Sequence, residues 1–249
     1  MKQLFISFLI LLLFSDCDKM ALGDTAAQSG SSGQGGSLAR FTIVGNYLYT
    51  VDKESLKVFE ISNPSDPVLK SHIPVGFEIE TIYPFKDKLF IGSTSMVHIF
   101  NIQDPSNPTK LSEAISPTVI RRCDPVVAKE NAAYATLRTN GRCGGTTSIL
   151  AVYDITNITQ PVQKNFVELS EPYGLGYSGN TLYVCDKAQG LIVYDISQPY
   201  NPAFIRTLKD GDYMDVIPYD TILICWTKTG IILYDIADPV QPVRLTTVN

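Results

Sequence analysis

Residues 173–208 read YGLGYSGNTLYVCDKAQGLIVYDISQPYNPAFIRTL. Short apolar runs rich in Val, Ile, Leu and aromatics alternate with turn residues, the composition of β-strands and hairpins. The expected innermost strand is Tyr173 to Tyr177, followed by a tight turn at Ser178-Gly179-Asn180. Gly and Asn there supply the positive φ that such a hairpin requires. Thr181 to Cys185 is the second strand, Asp186 to Gly190 a turn, and Leu191 to Ile196 the third strand. Pro199 and Pro202 cannot donate to a ladder and so fall between strands. The outer strand is Ala203 to Leu208. The middle runs are almost continuously apolar, as in sheets packed on both faces.

The end of the third strand is a phrase that occurs five times. Phe59-Glu60-Ile61, Phe100-Asn101-Ile102, Tyr153-Asp154-Ile155, Tyr194-Asp195-Ile196 and Tyr234-Asp235-Ile236 each precede a short turn carrying proline. The Ile positions are 41, 53, 41 and 40 residues apart, so the third unit holds an insertion of twelve. A period near 40 with four short strands per unit marks a β-propeller blade. The first unit begins with an inner strand near Ala39 to Val44, and the last ends with an outer strand, Val243 to Val248. Each blade therefore owns all four of its strands. The expected fold is all-β, a five-bladed propeller of four-stranded antiparallel blades, closed by side-chain packing between blades one and five. The Asp of the repeated phrase is expected to accept backbone bonds in the turn that follows it.

The phrases LIVYDISQPYNP, NTLYVCD and ILAVYDITNITQPV resemble the LVIVD repeat, a propeller-forming repeat of bacterial and archaeal exported proteins. The third to fifth units resemble most the lipoproteins of this family found in Bacteroidetes. The resemblance runs over about residues 39–249 and is looser in the first two units. It implies blade structure and no particular enzymatic activity.

Twenty Lys and Arg against 25 Asp and Glu give a charge of −5, and no long basic run is present. Nucleic acid is therefore excluded as a partner, since phosphate binding needs clustered positive charge. Met1-Lys2 precedes an apolar stretch, Leu4 to Phe14, whose eleven residues would rise about 16 Å as helix, roughly half a bilayer core. It reads as a secretory signal. Cys17 directly after it resembles the lipidated cysteine of a bacterial lipoprotein, with Asp16 where that pattern has Gly, Ala or Ser. The alternative is ordinary cleavage near Ala21-Leu22-Gly23. Residues 28–37, QSGSSGQGGS, cannot bury apolar surface and read as a flexible tether. The expected organisation is a signal segment over 1–17, a tether over 18–37 and the propeller over 38–249. The expected location is the cell envelope, lipid-anchored, with the outer membrane favoured over the inner.

Nucleophile elbows, zinc spacings and phosphate loops are missing from the sequence, and no cofactor or metal is expected. Gly174-x-Gly176-x-x-Gly179 matches a dinucleotide fingerprint by letter but lies in a hairpin with no helix after it. Cys185 and Cys225 occupy matching points of neighbouring second strands and read as small buried hydrophobes, with a disulfide between the blades as the alternative. Cys123 and Cys143 lie in loop context on one propeller face. A disulfide between them is expected; closing about 20 residues, it would stabilise by roughly 3 kcal/mol. A metal site there would lack further ligands.

Alignment of the inner strands places Glu80, Asp124 and Asp215 at or near one blade position, at the channel mouth, with Arg40 close to that position in the first blade. Arg121, Arg122, Arg138 and Arg142 border the cysteine loop on the same face. The carboxylates either hold neighbouring strands together through backbone amides or form a polar funnel for a cation or small anionic ligand. The leading expectation for function is a monomeric, non-enzymatic binding or scaffolding module with a protein or glycan partner in the envelope. The alternative is an envelope hydrolase, or a small-ligand or cation binder, using the channel carboxylates.

Overall fold

The computed structural model describes residues 35–94, 96–115, 125–139 and 147–248, and none of these is helical. They form five four-stranded antiparallel sheets, each built from consecutive strands. Blade 1 is β1 (Phe41–Val44), β2 (Tyr47–Val51), β3 (Ser55–Glu60) and β4 (Val68–Pro74). Blade 2 is β5 (Ile79–Phe85), β6 (Lys88–Ser93), β7 (Val97–Asn101) and β8 (Thr109–Ala114). Blade 3 is β9 (Val126–Lys129), β10 (Ala132–Leu137), β11 (Ser148–Asp154) and β12 (Val162–Leu169). Blade 4 is β13 (Pro172–Ser178), β14 (Thr181–Asp186), β15 (Gly190–Asp195) and β16 (Ala203–Leu208). Blade 5 is β17 (Tyr213–Tyr219), β18 (Ile222–Thr227), β19 (Gly230–Asp235) and β20 (Val243–Val248). This is the five-bladed propeller that the repeats predict.

The repeated phrase does the same work in every blade. Its Ile amide bonds back to the first hairpin: Ile61 to the Asn46 carbonyl, Ile102 to Asp87, Ile155 to Asn131, Ile196 to Asn180 and Ile236 to Thr221, all at 2.8–2.9 Å. Its Asp caps the next turn as the sequence predicts, Asp154, Asp195 and Asp235 accepting the amides of Thr156, Ser197 and Ala237. The aromatic of the phrase follows a bulge between third and outer strands in all five blades, before which stand Val58, Ile99, Val152, Val193 and Leu233.

Neighbouring blades share cores. In β14, Leu182 and Val184 pack toward blade 3, while Tyr183 and Cys185 pack toward blade 5. In β10, Tyr134 serves blade 4, and Ala133, Ala135 and Leu137 serve blade 2. Alternation within one apolar strand thus feeds two interfaces, which explains the near-continuous runs.

A hydroxyl latch accompanies these cores. Tyr49, Tyr134 and Tyr183 stand at equivalent points of their second strands, opposite Val58, Val152 and Val193. Each donates to a carbonyl in the turn of the next blade, at Pro105, Pro199 and Pro239, over 2.7–2.8 Å. The latch changes form between blades 2 and 3. There the equivalent residue is Phe90, which has no hydroxyl, and Ile158 replaces the proline. The Ile158 carbonyl instead accepts from the Ser112 hydroxyl.

Between blades 1 and 5 the side chains meet less closely than between the other blades. Among the described residues no core cluster joins them. In β18, Leu223 and Cys225 enter the core with blade 4, whereas Ile222 and Ile224 on the far side stay half-buried and Trp226 is 54% exposed. On blade 1, Leu48 and Phe59 on the side away from blade 2 are likewise half-buried. The latch is missing too: Ile224, opposite Leu233, occupies the tyrosine position and has no hydroxyl to offer Pro64.

Candidate functional site

The inner strands β1, β5, β9, β13 and β17 surround a central channel. The start of each faces one side of the disc, here the top face. Arg40, Glu80, Tyr173 and Asp215 lie near these starts, and Arg138 follows the end of β10, which runs antiparallel to β9. The top face therefore gathers residues from all five blades.

An arm preceding β1 enters this channel. Ser37 is 1% exposed; its hydroxyl donates to Asp215 Oδ1 at 3.2 Å and accepts from the Leu175 amide at 2.7 Å. The Leu38 amide donates to Asp215 Oδ2 at 3.3 Å. Gly36 and Gly174 flank the same carboxylate, and a Cβ on either would stand 2.0 Å from one of its oxygens. The Ala39 carbonyl accepts from the Ile82 amide in blade 2. The folded part thus reaches back to Gly36, two residues before the expected tether boundary. A short arm ties together the axis-facing strands of four blades.

Asp215 is consequently not a free channel carboxylate. Burial, the largest influence, pushes its pKa up to about 6, while the Val216, Leu38 and Ser37 donors pull the other way. It also stands one step out of line with Glu80. Asp215 pairs with Trp226 and its blade-2 counterpart Thr81 pairs with Gly92, so Glu80 corresponds to Met214. A one-residue offset in a strand turns a side chain to the opposite side. Thr81 and Asp215 are accordingly buried, and Glu80 and Met214 are half-buried.

Glu80 remains at the mouth. Burial raises its carboxyl pKa, Arg40 and then Arg138 oppose the rise, and Glu78 adds to it. Arg40, which the sequence places near this position, is one counter-charge and Arg138 a second. The Arg138 guanidinium lies 4.0 Å above the Tyr173 ring, and its Nε is buried without a hydrogen-bond partner among the described residues. The Thr136 hydroxyl donates to the Tyr173 carbonyl and fixes the strand that carries the ring. Nothing in the sequence marks Tyr173 as part of a site, since an aromatic at a strand start gives no sign that a guanidinium will lie on it. Large apolar side chains at the start of β1 and just before β5 are exposed, Phe41 at 60% and Phe77 at 81%.

On the other side of the arm lies a cavity of about 160 Å³, lined by Ser37, Tyr83, Val127, Leu175, Tyr177 and Pro218 among others. Tyr83 and Tyr177 share a hydrogen bond, and burial raises both phenols. Cys185 and Cys225 are free and buried, and burial pushes both thiols up, so they are inert fillers. Among the described residues no group of three His, Cys, Asp or Glu could hold a metal ion, and no helix is long and apolar enough to cross a membrane. Cys17, Arg121, Arg122, Cys123, Asp124, Arg142 and Cys143 lie outside the described residues.

Comparison with known proteins agrees with this architecture. The family model described as LVIVD repeat matches residues 35–74 and 175–210, so the chain carries LVIVD repeats, which form β-propellers. No curated protein matches. Among solved structures, the chain is similar to a periplasmic gluconolactonase of Pseudomonas aeruginosa, with 13% identity, a TM-score of 0.61, and coverage of 82% of this chain and 67% of that one. A functionally unknown protein from Desulfotomaculum acetoxidans gives 15% identity, a TM-score of 0.61 and coverage of 82% and 68%. The computationally designed protein Ika8 gives 15% identity, a TM-score of 0.59 and coverage of 82% and 59%. The chain spans about three fifths to two thirds of the length of these structures. At such identities the likeness shows the fold alone.

Proposed function

We propose that this protein is a non-catalytic binding module of the bacterial cell envelope, lipid-anchored at Cys17, which holds a protein partner against its top face. The observation that carries the reading is Arg138. Its guanidinium is oriented by the Tyr173 ring, yet neither Arg138 nor Arg40 makes an ion pair among the described residues. A stacked guanidinium is pre-organised for bidentate contact with a carboxylate. Arginine, tyrosine and exposed phenylalanines are residues of the kind that dominate protein interfaces. The Gly/Ser segment before the arm gives such a module reach from a membrane surface.

A hydrolase or cation site at the channel carboxylates has less support. Both Asp215 oxygens already accept hydrogen bonds from the arm or from the Val216 amide. The test is capture from envelope extract with wild type, Arg138→Ala and a chain lacking residues 138–148, followed by cross-link mapping. One partner recovered by wild type, cross-linked near Arg138 and lost from both variants, is the expected result. Equal recovery by all three chains would overturn the reading, as would hydrolysis in an activity screen that Glu80→Gln abolishes.

A further inference from the structure

Two features of the axis belong together. The seam between blades 1 and 5 has neither a shared core nor a tyrosine latch, and the arm over residues 36–38 is bound by β13 and β17 in the channel. We infer that residues 36–38 are an intramolecular ligand, a Gly-Ser-Leu segment held in a groove formed by Gly174, Leu175 and Asp215, and that its docking is the clasp that closes the ring.

The groove is selective in its chemistry. Position 36 favours glycine, because a Cβ there would stand 2.0 Å from the Asp215 carboxylate, and a side chain must displace that carboxylate to fit. Position 37 needs a short hydroxyl that donates to Asp215 and accepts from the Leu175 amide in one geometry. Position 38 contributes only its amide to Asp215. Gly174 forms the other wall, where a side chain would displace the carboxylate from the opposite direction. The Ala39 amide closes a turn onto the Gly36 carbonyl at 3.0 Å, and the Ala39 carbonyl accepts from Ile82. The bound segment therefore continues without a break from the blade 4–5 groove into the strands of blades 1 and 2.

The clasp stands in for what the seam lacks. Every other blade pair in the ring is joined by an apolar core. At the seam the far side of blade 5 leaves Trp226 at 54% and Ile231 at 38% exposure. The polar bonds of the arm are thus the principal connection from blade 5 back to blade 1 among the described residues. Trp226 is the single tryptophan of the chain and lies across from Asp215 in the β17–β18 register. It reports on this seam without any label.

The test uses the full chain with Gly36→Leu and Ser37→Ala, reading amide hydrogen exchange by NMR and acrylamide quenching of Trp226. Gly36→Leu is expected to expel the arm, raising exchange at Leu38 and Leu175 strongly and increasing Trp226 quenching, while Tyr134 and Val152 in blade 3 keep their protection. Ser37→Ala removes one bond from the Leu175 amide and is expected to raise its exchange about tenfold, the scale of a single hydrogen bond. Should Gly36→Leu fail to fold, Ser37→Ala decides the matter. Leu175 exchange within twofold of wild type in Ser37→Ala, or an acceleration in blade 3 equal to that at Leu175, overturns the clasp.

Discussion

The hydroxyl of Tyr183 in β14 donates to the carbonyl of Pro239, 2.7 Å away in the turn of the next blade. Tyr183 is fully buried, so the bond lies at the edge of a core and not in open water. Removing the hydroxyl leaves the ring in place and a partly buried carbonyl without its donor. Tyr183→Phe should cost about 1 kcal/mol, a fall in Tm of about 2–4 °C for a domain of this size. Phe90→Tyr should bring no matching gain, because Ser112 already holds the Ile158 carbonyl. Thermal melts of the two variants decide it; an unchanged Tm for Tyr183→Phe would mean that the latch adds nothing to the core.

The first hairpin turn sets a second comparison. Its left-handed position is held in the five blades by Gly45, Lys86, Glu130, Gly179 and Asp220, with φ between 52° and 58°. A residue with a Cβ is strained there by roughly 1 kcal/mol. Lys86 lies over the Phe85 ring and Glu130 pairs with Lys129, so Asp220 is the cleanest site to relieve. Asp220→Gly should stabilise by up to about 1 kcal/mol, and Gly179→Ala should destabilise by about the same amount. Denaturant titration of both variants checks the pair; a loss of stability in Asp220→Gly would contradict the account.

The blades were legible because each is specified locally. The Tyr-Asp-Ile phrase carries its own strand, cap and turn, and repetition turns a weak signal into a count of five. Ring closure was not legible in the same way, because it depends on what a blade lacks. Ile224 reads as an ordinary apolar strand residue until it is set against Tyr49, Tyr134 and Tyr183. The arm was hidden by composition: Gly36 and Ser37 end a run that reads as tether, and only Asp215, 178 residues further on, makes them structural. Asp215 and Glu80 are acidic neighbours one step apart in the aligned inner strands, and only the register, which matches Asp215 with Thr81 and Glu80 with Met214, puts them on opposite sides.

The address is open to direct labelling. An alkyne fatty acid should be incorporated into wild type in a bacterial host and not into Cys17→Ser. A wild-type chain that takes up no label and starts near Gly23 in the soluble periplasm would replace the lipid anchor with ordinary secretion. The clasp would be unaffected, since Gly36 lies beyond either cleavage point.

Asp215 gives the sharpest dependence on pH. Its carboxyl is buried between two glycines and titrates near 6 in the folded protein, above its ordinary value of 3.8. A raised folded pKa means that the unfolded chain gives up this proton first. The stabilisation from protonated Asp215 is therefore complete below about pH 4 and is lost as pH rises through 6, with an amplitude of about 3 kcal/mol. The neighbouring thiols Cys185 and Cys225 are pushed up by burial and stay neutral throughout this range. Other carboxylates, such as Asp52 with its backbone and Lys57 bonds, titrate lower on folding and act with the opposite sign. Wild type alone would mix these effects, so the comparison is with Asp215→Asn, which cannot ionise but keeps an oxygen for the Leu38 amide. Between pH 4 and pH 7.5 the stability of Asp215→Asn relative to wild type should move in favour of the variant by about 3 kcal/mol. Denaturant melts at pH 4, 5, 6 and 7.5 measure it. A difference that stays constant over that range would place Asp215 in contact with water and overturn this account of its titration.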